Sequence, residues 1–292
     1  MYKARTDLAV EECERFSSLP VGVTQKVMDV GKARIIRVTV DSEEAGKILG
    51  KPKGRYITVE TEPLSHLSDY DDGRQAAVSG EISKLLPKEG TVLIAGLGNT
   101  DITPDAFGVK VAEKILATRH LDGELMQTLG LGDLRSVASV ATGVLGKTGI
   151  ETCEMLKGIV ERINPCAVIA VDALAAKSLS RLGKTVQISD AGIIPGSGVG
   201  NARQELSRAS LGVPVIAVGV PTVVDGVTIV HDLIEDADQS IEEKISPKGR
   251  QMMVTPREVD VVVENAANLV ALSINRALHP HIKMEEMLTL TL

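Results

Sequence analysis

Aromatic side chains are almost missing from this sequence, which has two Phe, three Tyr and no Trp among 292 residues. Stacking platforms for bases or sugars are therefore poorly supplied, and the core must be built from Val, Ile, Leu and Ala. Cysteine is as scarce: Cys13, Cys153 and Cys166 are odd in number, widely scattered and form no C-x-x-C pair. That speaks against a disulfide framework and a zinc site, and fits a reducing cytoplasm. Blocks of basic residues are absent and the formal net charge is -7, so neither nucleic acid nor an anionic membrane is expected as a direct partner. No apolar run approaches the ~18 residues that span a bilayer. The first residues, with Asp7, Glu11, Glu12 and Glu14, lack the apolar centre of a signal peptide, so the expected location is the cytoplasm. No G-x-S-x-G elbow occurs, and the five histidines form no H-x-x-x-H pair; His279-Pro280-His281 reads as a solvated tail.

What is present is an ordinary globular composition, 43% hydrophobic and 24% charged, long enough for one extended α/β domain or two smaller ones. Short β-branched runs bounded by Gly and Asp alternate with longer amphipathic stretches. Residues 34–40 and 56–62 read as early strands, and 74–86 as a helix. The segments 91–98, 136–143, 166–172, 185–190 and 214–221 are nearly continuous apolar runs, as expected of strands covered on both faces. Helical stretches at 104–118, 151–163 and 176–182 separate most of them, which predicts an α/β fold: a mostly parallel sheet with helices on both faces. A last long helix is expected to open with Thr255 as N-cap and Pro256 in first position. Residues 235–250 read as an exposed insertion.

Ligands of open parallel sheets bind beyond the carboxyl ends of the strands, so the residues leaving those ends matter most. Four acids leave them here: Asp101 and Asp105 after the 91–98 run, Asp172 at the end of 166–172, and Asp190 at the end of 185–190. Converging carboxylates suggest either an oxygen-ligand metal site or a pair sharing one proton, while each Asp taken alone is also a plausible turn former or cap. Asp105, behind Thr103 and Pro104, is placed in a first helical turn that favours the ionised form, a base. Asp172 leaves a buried apolar strand, where dry surroundings favour the protonated form, an acid. The glycine-rich "GLGNTD" puts Asp101 where a dinucleotide fingerprint needs its third glycine. "DAGIIPGSGVGN" lacks the Lys and Ser/Thr of a P-loop and reads as an oxyanion holder, a flap or a cleft wall.

The opening stretch "RTDLAVEE" is neither strand, nor clean helix start, nor targeting signal. Thr6 and Asp7 could cap a short helix over residues 8–16. The strings "RTDLAVE", "IAGLGNTDITPDAFG", "ATGVLGKTGIET", "VIAVDALAA", "ISDAGIIPGSGVGN", "VGVPTVVD" and "VTPREVD" together resemble the spore germination proteases of endospore-forming bacteria, from about Arg5 to His279. The resemblance implies the α/β fold seen in hydrogenase maturation endopeptidases and a cytoplasmic, spore-core homotetramer made as a zymogen. It also implies small acid-soluble spore proteins as substrates, and no cofactor. The two essential aspartates it carries over are Asp105, in the T-P-D-A motif, and Asp172, in the D-A-L-A motif. It further offers a meaning for the opening: the substrates are cut in a Thr-Glu, apolar, Ala and later Glu sequence, and Thr6-Asp7-Leu8-Ala9-Val10-Glu11 is similar to it. Self-processing between Asp7 and Leu8 would then separate a propeptide, residues 1–7, from a single peptidase domain, residues 8–292. Phe107 and Val109 depart from the expected Leu and Pro, and the stretch between His231 and Val254 is shorter than in the longer members. Two rivals stay open, a peptidase with a divalent metal between acidic ligands and a binder of acidic-apolar peptides that does not cut them.

Overall fold

The computed structural model describes residues 6–66, 73–121, 134–197, 203–233 and 252–291, together with 123 and 127. Val- and Ile-rich runs assemble one large sheet, as β-branched side chains favour. Its strands are β1 (Val23–Val30), β2 (Ala33–Val40), β3 (Gly54–Glu60), β4 (Val92–Leu97), β5 (Val137–Gly143), β6 (Ala167–Ala175), β7 (Thr185–Ser189), β8 (Val215–Asp225) and the short β9 (Met253–Val254). The order is β1-β2-β3-β7-β8-β6-β4-β5, with β9 attached to β8. The four strands β5-β4-β6-β8 run parallel. Every other pairing is antiparallel.

Of the parallel strands, β4, β6 and β8 are buried on both faces, which is why they read as continuous apolar runs, while β5 at the sheet edge is only half-buried. On one face the helices Arg74–Ser83, Phe107–Glu113 and Val259–Leu278 bury Val78, Phe107, Val263 and Val270 against Ile94, Ile169 and Val218. On the other, the helix Thr152–Ile163 and the turn of helix Arg208–Leu211 cover Leu93, Ala95 and Val168.

Four local expectations change. The stretch 176–182 forms turns and no helix among the described residues. A parallel return needs a crossover of a dozen or more residues; lacking that helix, the chain reverses and β7 enters the sheet antiparallel to both neighbours. The helix expected over 104–118 is broken into a 3-10 turn, Thr103–Asp105, and the helix Phe107–Glu113. The last long helix starts at Val259 with Glu258 as an N-cap that makes no side-chain cap bond, while the Thr255 hydroxyl bonds the Pro256 carbonyl at 3.2 Å. Finally, β6 runs three residues beyond Asp172, to Ala175. The stretch 235–250 lies outside the described residues.

The opening stretch is bound to the body of the protein. A short helix, Ala9–Cys13, buries Ala9 and Cys13 with Val38, Val40 and Leu49. Leu8 and Val10 enter a separate cluster with Ile36, Ala176 and Val224.

Candidate active site

Asp172 owes its position to a step in the sheet. β6 pairs with β4 only as far as Val171, opposite Gly96, and from Asp172 onward its sole parallel neighbour is β8. The side chain therefore emerges where β4 has ended, in the crevice at the carboxyl edge of the parallel strands. It is 5% exposed, and its Oδ1 accepts the N–H of Ala173 at 2.9 Å.

Asp105 is brought to the same crevice by close backbone packing. After β4 the chain turns at Gly98, whose φ of +109° and whose Cα, so near that an added Cβ would lie 1.9 Å from the Asp105 carbonyl, allow only glycine. The Asn99 N–H donates to that carbonyl at 3.2 Å, and from β8 the Thr222 hydroxyl donates to the Pro104 carbonyl at 2.8 Å. Gly108 lets the following helix approach until a Cβ would be 2.2 Å from the Val171 carbonyl, one residue before Asp172. Both carboxylates thus hang from one tightly packed unit.

They line a cavity of about 400 Å³ with Asp7, Asn99, Ser197 and Thr222. A second cavity of about 380 Å³ shares Asp7, Leu174, Ile193 and Ser197 with it and extends past Tyr56. The part of the glycine-rich stretch that is described, with Ile193, Ile194 and Ser197, is a wall of this cleft.

Burial sets the protonation of the pair. It pushes Asp172 well above the ordinary carboxylate range, and the nearby charges of Asp105 and Asp7 push it further, against a smaller pull from the Ala173 N–H. Asp105 is also raised by burial, partly offset by the Asn99 backbone N–H. The dry setting expected for Asp172 is present. Asp105 sits in a three-residue 3-10 turn rather than in the first turn of a long helix, so the dipole expected to favour its charge is small.

The other two acids lie elsewhere. Asp101 is exposed in a turn and pairs with the Lys147 ammonium. Asp190 accepts the Arg55 N–H and Nε, each at 2.7 Å, at the surface. Because β7 is antiparallel, its end points away from the crevice: Gln187 lies level with Gly219 and hence with Asp172, and Asp190 is about 10 Å further along the strand at ~3.3 Å per residue. His279 is no solvated tail. It caps the long helix at 1% exposure, and burial lowers its imidazole to about 4. Asn99, Thr222 and Ser197 escaped the sequence reading, because a lone amide or hydroxyl in a loop or strand carries no spacing signal; Thr222 stands inside "VGVPTVVD", used only as one of the resembling strings and just past the strand expected over 214–221.

The opening stretch completes the site. Asp7 lies against the end of β6: its N–H donates to the Ala175 carbonyl at 3.0 Å, and its Oδ2 accepts the Ala175 N–H at 2.8 Å. Its Oδ1 accepts the Ser197 hydroxyl at 2.8 Å. The Lys51 ammonium donates to the Thr6 carbonyl at 2.9 Å. Thr6 does not cap the helix, whose N-cap is Leu8; its hydroxyl accepts the Leu8 N–H at 3.0 Å and donates to Glu11.

A family described as germination protease matches residues 4–237 and 235–291, close to the entire chain. The chain belongs to the germination protease family. The germination protease of Clostridium perfringens (strain ATCC 13124) is 40% identical over 323 aligned positions, covering 98% of both chains. That of Caldanaerobacter subterraneus subsp. tengcongensis is 42% identical over 314, covering 97% of this chain and 96% of the relative. That of Bacillus cereus (strain G9842) is 37% identical over 353, covering 97% and 96%. Among solved structures, a [NiFe] hydrogenase maturation protease HycI from Thermococcus kodakarensis KOD1 aligns with 66% of this chain and 98% of its own, at a TM-score of 0.37 and 19% identity. The chain is accordingly a peptidase, and the crevice holding Asp105 and Asp172 is its candidate active site. Among the described residues no group of three or more His, Cys, Asp or Glu side chains is arranged to hold a metal ion, and no helix is long and apolar enough to cross a membrane.

Proposed function

We propose that the germination protease fold here works as an aspartate-dependent endopeptidase made as a zymogen, with Asp105 and Asp172 as its acid/base pair. The observation that carries this reading is that Asp7, in the substrate-like string Thr6-Asp7-Leu8-Ala9, lines the same cavity as both aspartates. Asp172, the more strongly raised of the two, holds the shared proton and delivers it to the leaving nitrogen. Asp105 takes the proton of the attacking water. The two titrate as a coupled pair, so the active form is singly protonated.

On this reading residues 1–7 are the propeptide. The chain cuts itself between Asp7 and Leu8, and residues 8–292 form the peptidase domain. Its substrates are small acid-soluble spore proteins in the spore core. The working assembly is a homotetramer, supported by the outer strand β1, where every residue after Val23 is exposed, Val27, Met28 and Val30 among them, on an edge that pairs with no further strand among the described residues. Mass spectrometry of the intact chain during incubation tests the central claim. The expected product begins at Leu8; a chain that stays whole in every condition, or that starts elsewhere, refutes self-processing at this bond.

A further inference from the structure

We propose that Lys51 is a main-chain anchor for substrate, its ammonium holding the backbone carbonyl of the residue that precedes the acid at the cut bond. This rests on the endopeptidase reading and adds to it a substrate-binding residue that recognises no side chain.

The opening stretch shows the contact. The Lys51 Nζ donates to the Thr6 carbonyl at 2.9 Å, and the Asp7 N–H donates to the Ala175 carbonyl at 3.0 Å. Those two groups, the Thr6 C=O and the Asp7 N–H, belong to one peptide unit. Because that unit is planar, holding both of its ends fixes its orientation, and the next unit along is the Asp7–Leu8 bond itself. On the proposed reading Thr6 and Asp7 leave with residues 1–7, while Leu8 and everything after it stay. The Lys51 ammonium and the Ala175 carbonyl then become available to the peptide unit of another chain. Lys51 lines the second cavity and not the one that holds Asp105 and Asp172, whereas Asp7 lines both. An extended peptide whose acid takes the place of Asp7 therefore runs, on its amino side, past Lys51. The lysine is set on fixed backbone. The helix Glu43–Leu49 ends at Gly50, with φ +81°, and the N–H groups of Gly50 and Lys51 both donate to the Gly46 carbonyl, at 2.7 and 3.1 Å. Leu49, at 0% exposure, seats that end of the helix in the cluster with Val38 and Val40, and the Tyr56 hydroxyl holds the Pro52 carbonyl at 2.6 Å just beyond. A cation on such a base makes a charge-assisted bond to a carbonyl that every residue type supplies.

The held carbonyl is not the one attacked, so its charge changes little during the reaction and the anchor contributes equally to bound substrate and transition state. The test uses the processed enzyme and a peptide containing Thr-Glu-Leu-Ala-Val-Glu. Lys51→Met should raise KM about 10- to 100-fold with kcat little changed, the range expected for a hydrogen bond to a charged group, and Lys51→Arg should recover part of the loss. A second peptide, with a thioamide joining its Thr to its first Glu, places a poorer acceptor where the held oxygen sits. The parent enzyme should favour the oxygen peptide several-fold, and Lys51→Met should lose that preference. The preference is a ratio within one enzyme, so a general loss of stability does not imitate it. An unchanged KM in Lys51→Met, or a preference that persists in it, overturns the anchor and leaves the endopeptidase reading intact. If no peptide is cut, that reading fails instead, and the full-length chain still decides: faster hydrogen exchange of the Asp7 amide in Lys51→Met supports the grip on this peptide unit, and unchanged exchange overturns it.

Discussion

Asp172 and Asp190 close two apolar runs that look alike in the sequence, yet they end in opposite situations. The first lies in the parallel half of the sheet, where covering on both faces and the early end of β4 leave it buried, raised in pKa and facing Asp105 and Asp7 across a cavity. The second lies in the antiparallel half, where β7 points the other way and Asp190 becomes a half-buried partner of Arg55 away from the crevice. Carboxylates at strand ends meet at one edge when their strands share a direction, because the carboxyl ends then lie side by side.

The sharpest way to break this contrast is substitution of the acids themselves. Asp105→Asn and Asp172→Asn should each lower cleavage by roughly 10²–10⁴-fold or more with the circular dichroism spectrum unchanged, whereas Asp190→Asn should leave it nearly intact. A fully active, natively folded Asp172→Asn enzyme would remove the parallel edge from the mechanism. Next in size is the packing that holds that edge together. Gly108→Ala forces a methyl against the Val171 carbonyl and should destabilise by about 3 kcal/mol or more, while Gly31→Ala, at φ +58° with open space around it, should cost about 1 kcal/mol; chemical denaturation compares them.

Smaller effects sharpen the role of the opening stretch. Asp7→Lys leaves the Ala175 and Ser197 donors without an acceptor and should weaken presentation of the bond by roughly 1–3 kcal/mol, and Asp7→Glu should be trimmed at least as fast as the parent chain. N-terminal sequencing over time reads both, and unchanged trimming of Asp7→Lys would show that the stretch is no substrate mimic.

The pH dependence follows from the raised acids. A carboxyl whose pKa is higher in the folded than in the unfolded chain contributes stability that is full below the ordinary carboxylate range and lost as pH rises through the folded value. At neutral pH the parent chain carries that loss at Asp172, so Asp172→Asn should melt at a higher temperature there, with the gap closing in acid. For the same reason self-trimming should speed up on mild acidification, which supplies the shared proton, and fall again once both acids are protonated. Rates that climb steadily towards neutral pH would contradict a shared proton. The smallest effect is expected in the antiparallel half, where losing the Asp190–Arg55 pair should change stability by about 1 kcal/mol or less.

The chain's own residues determined the α/β rhythm, the identity of β4, β5, β6 and β8 from their unbroken apolar runs, and four acids from which to choose. These are local signals of period and burial, and they survive in any arrangement of the strands. The tertiary structure decided which acids meet. Strand direction was hidden because the turns at 176–184 and a crossover helix differ by only a few residues in a sequence, yet that difference reverses β7 and removes Asp190. The 3-10 turn that carries Asp105 comes from a broken helix, and Gly108 of the helix that follows packs against Val171 and Leu97, neighbours that no local signal announces. Thr222, Ser197 and the Ala175 N–H belong to no motif, since an N–H group has no letter of its own. Thr222 and the Ala175 N–H stand together at a register shift between β6 and β8, a relation between residues some 50 positions apart that only the folded sheet creates.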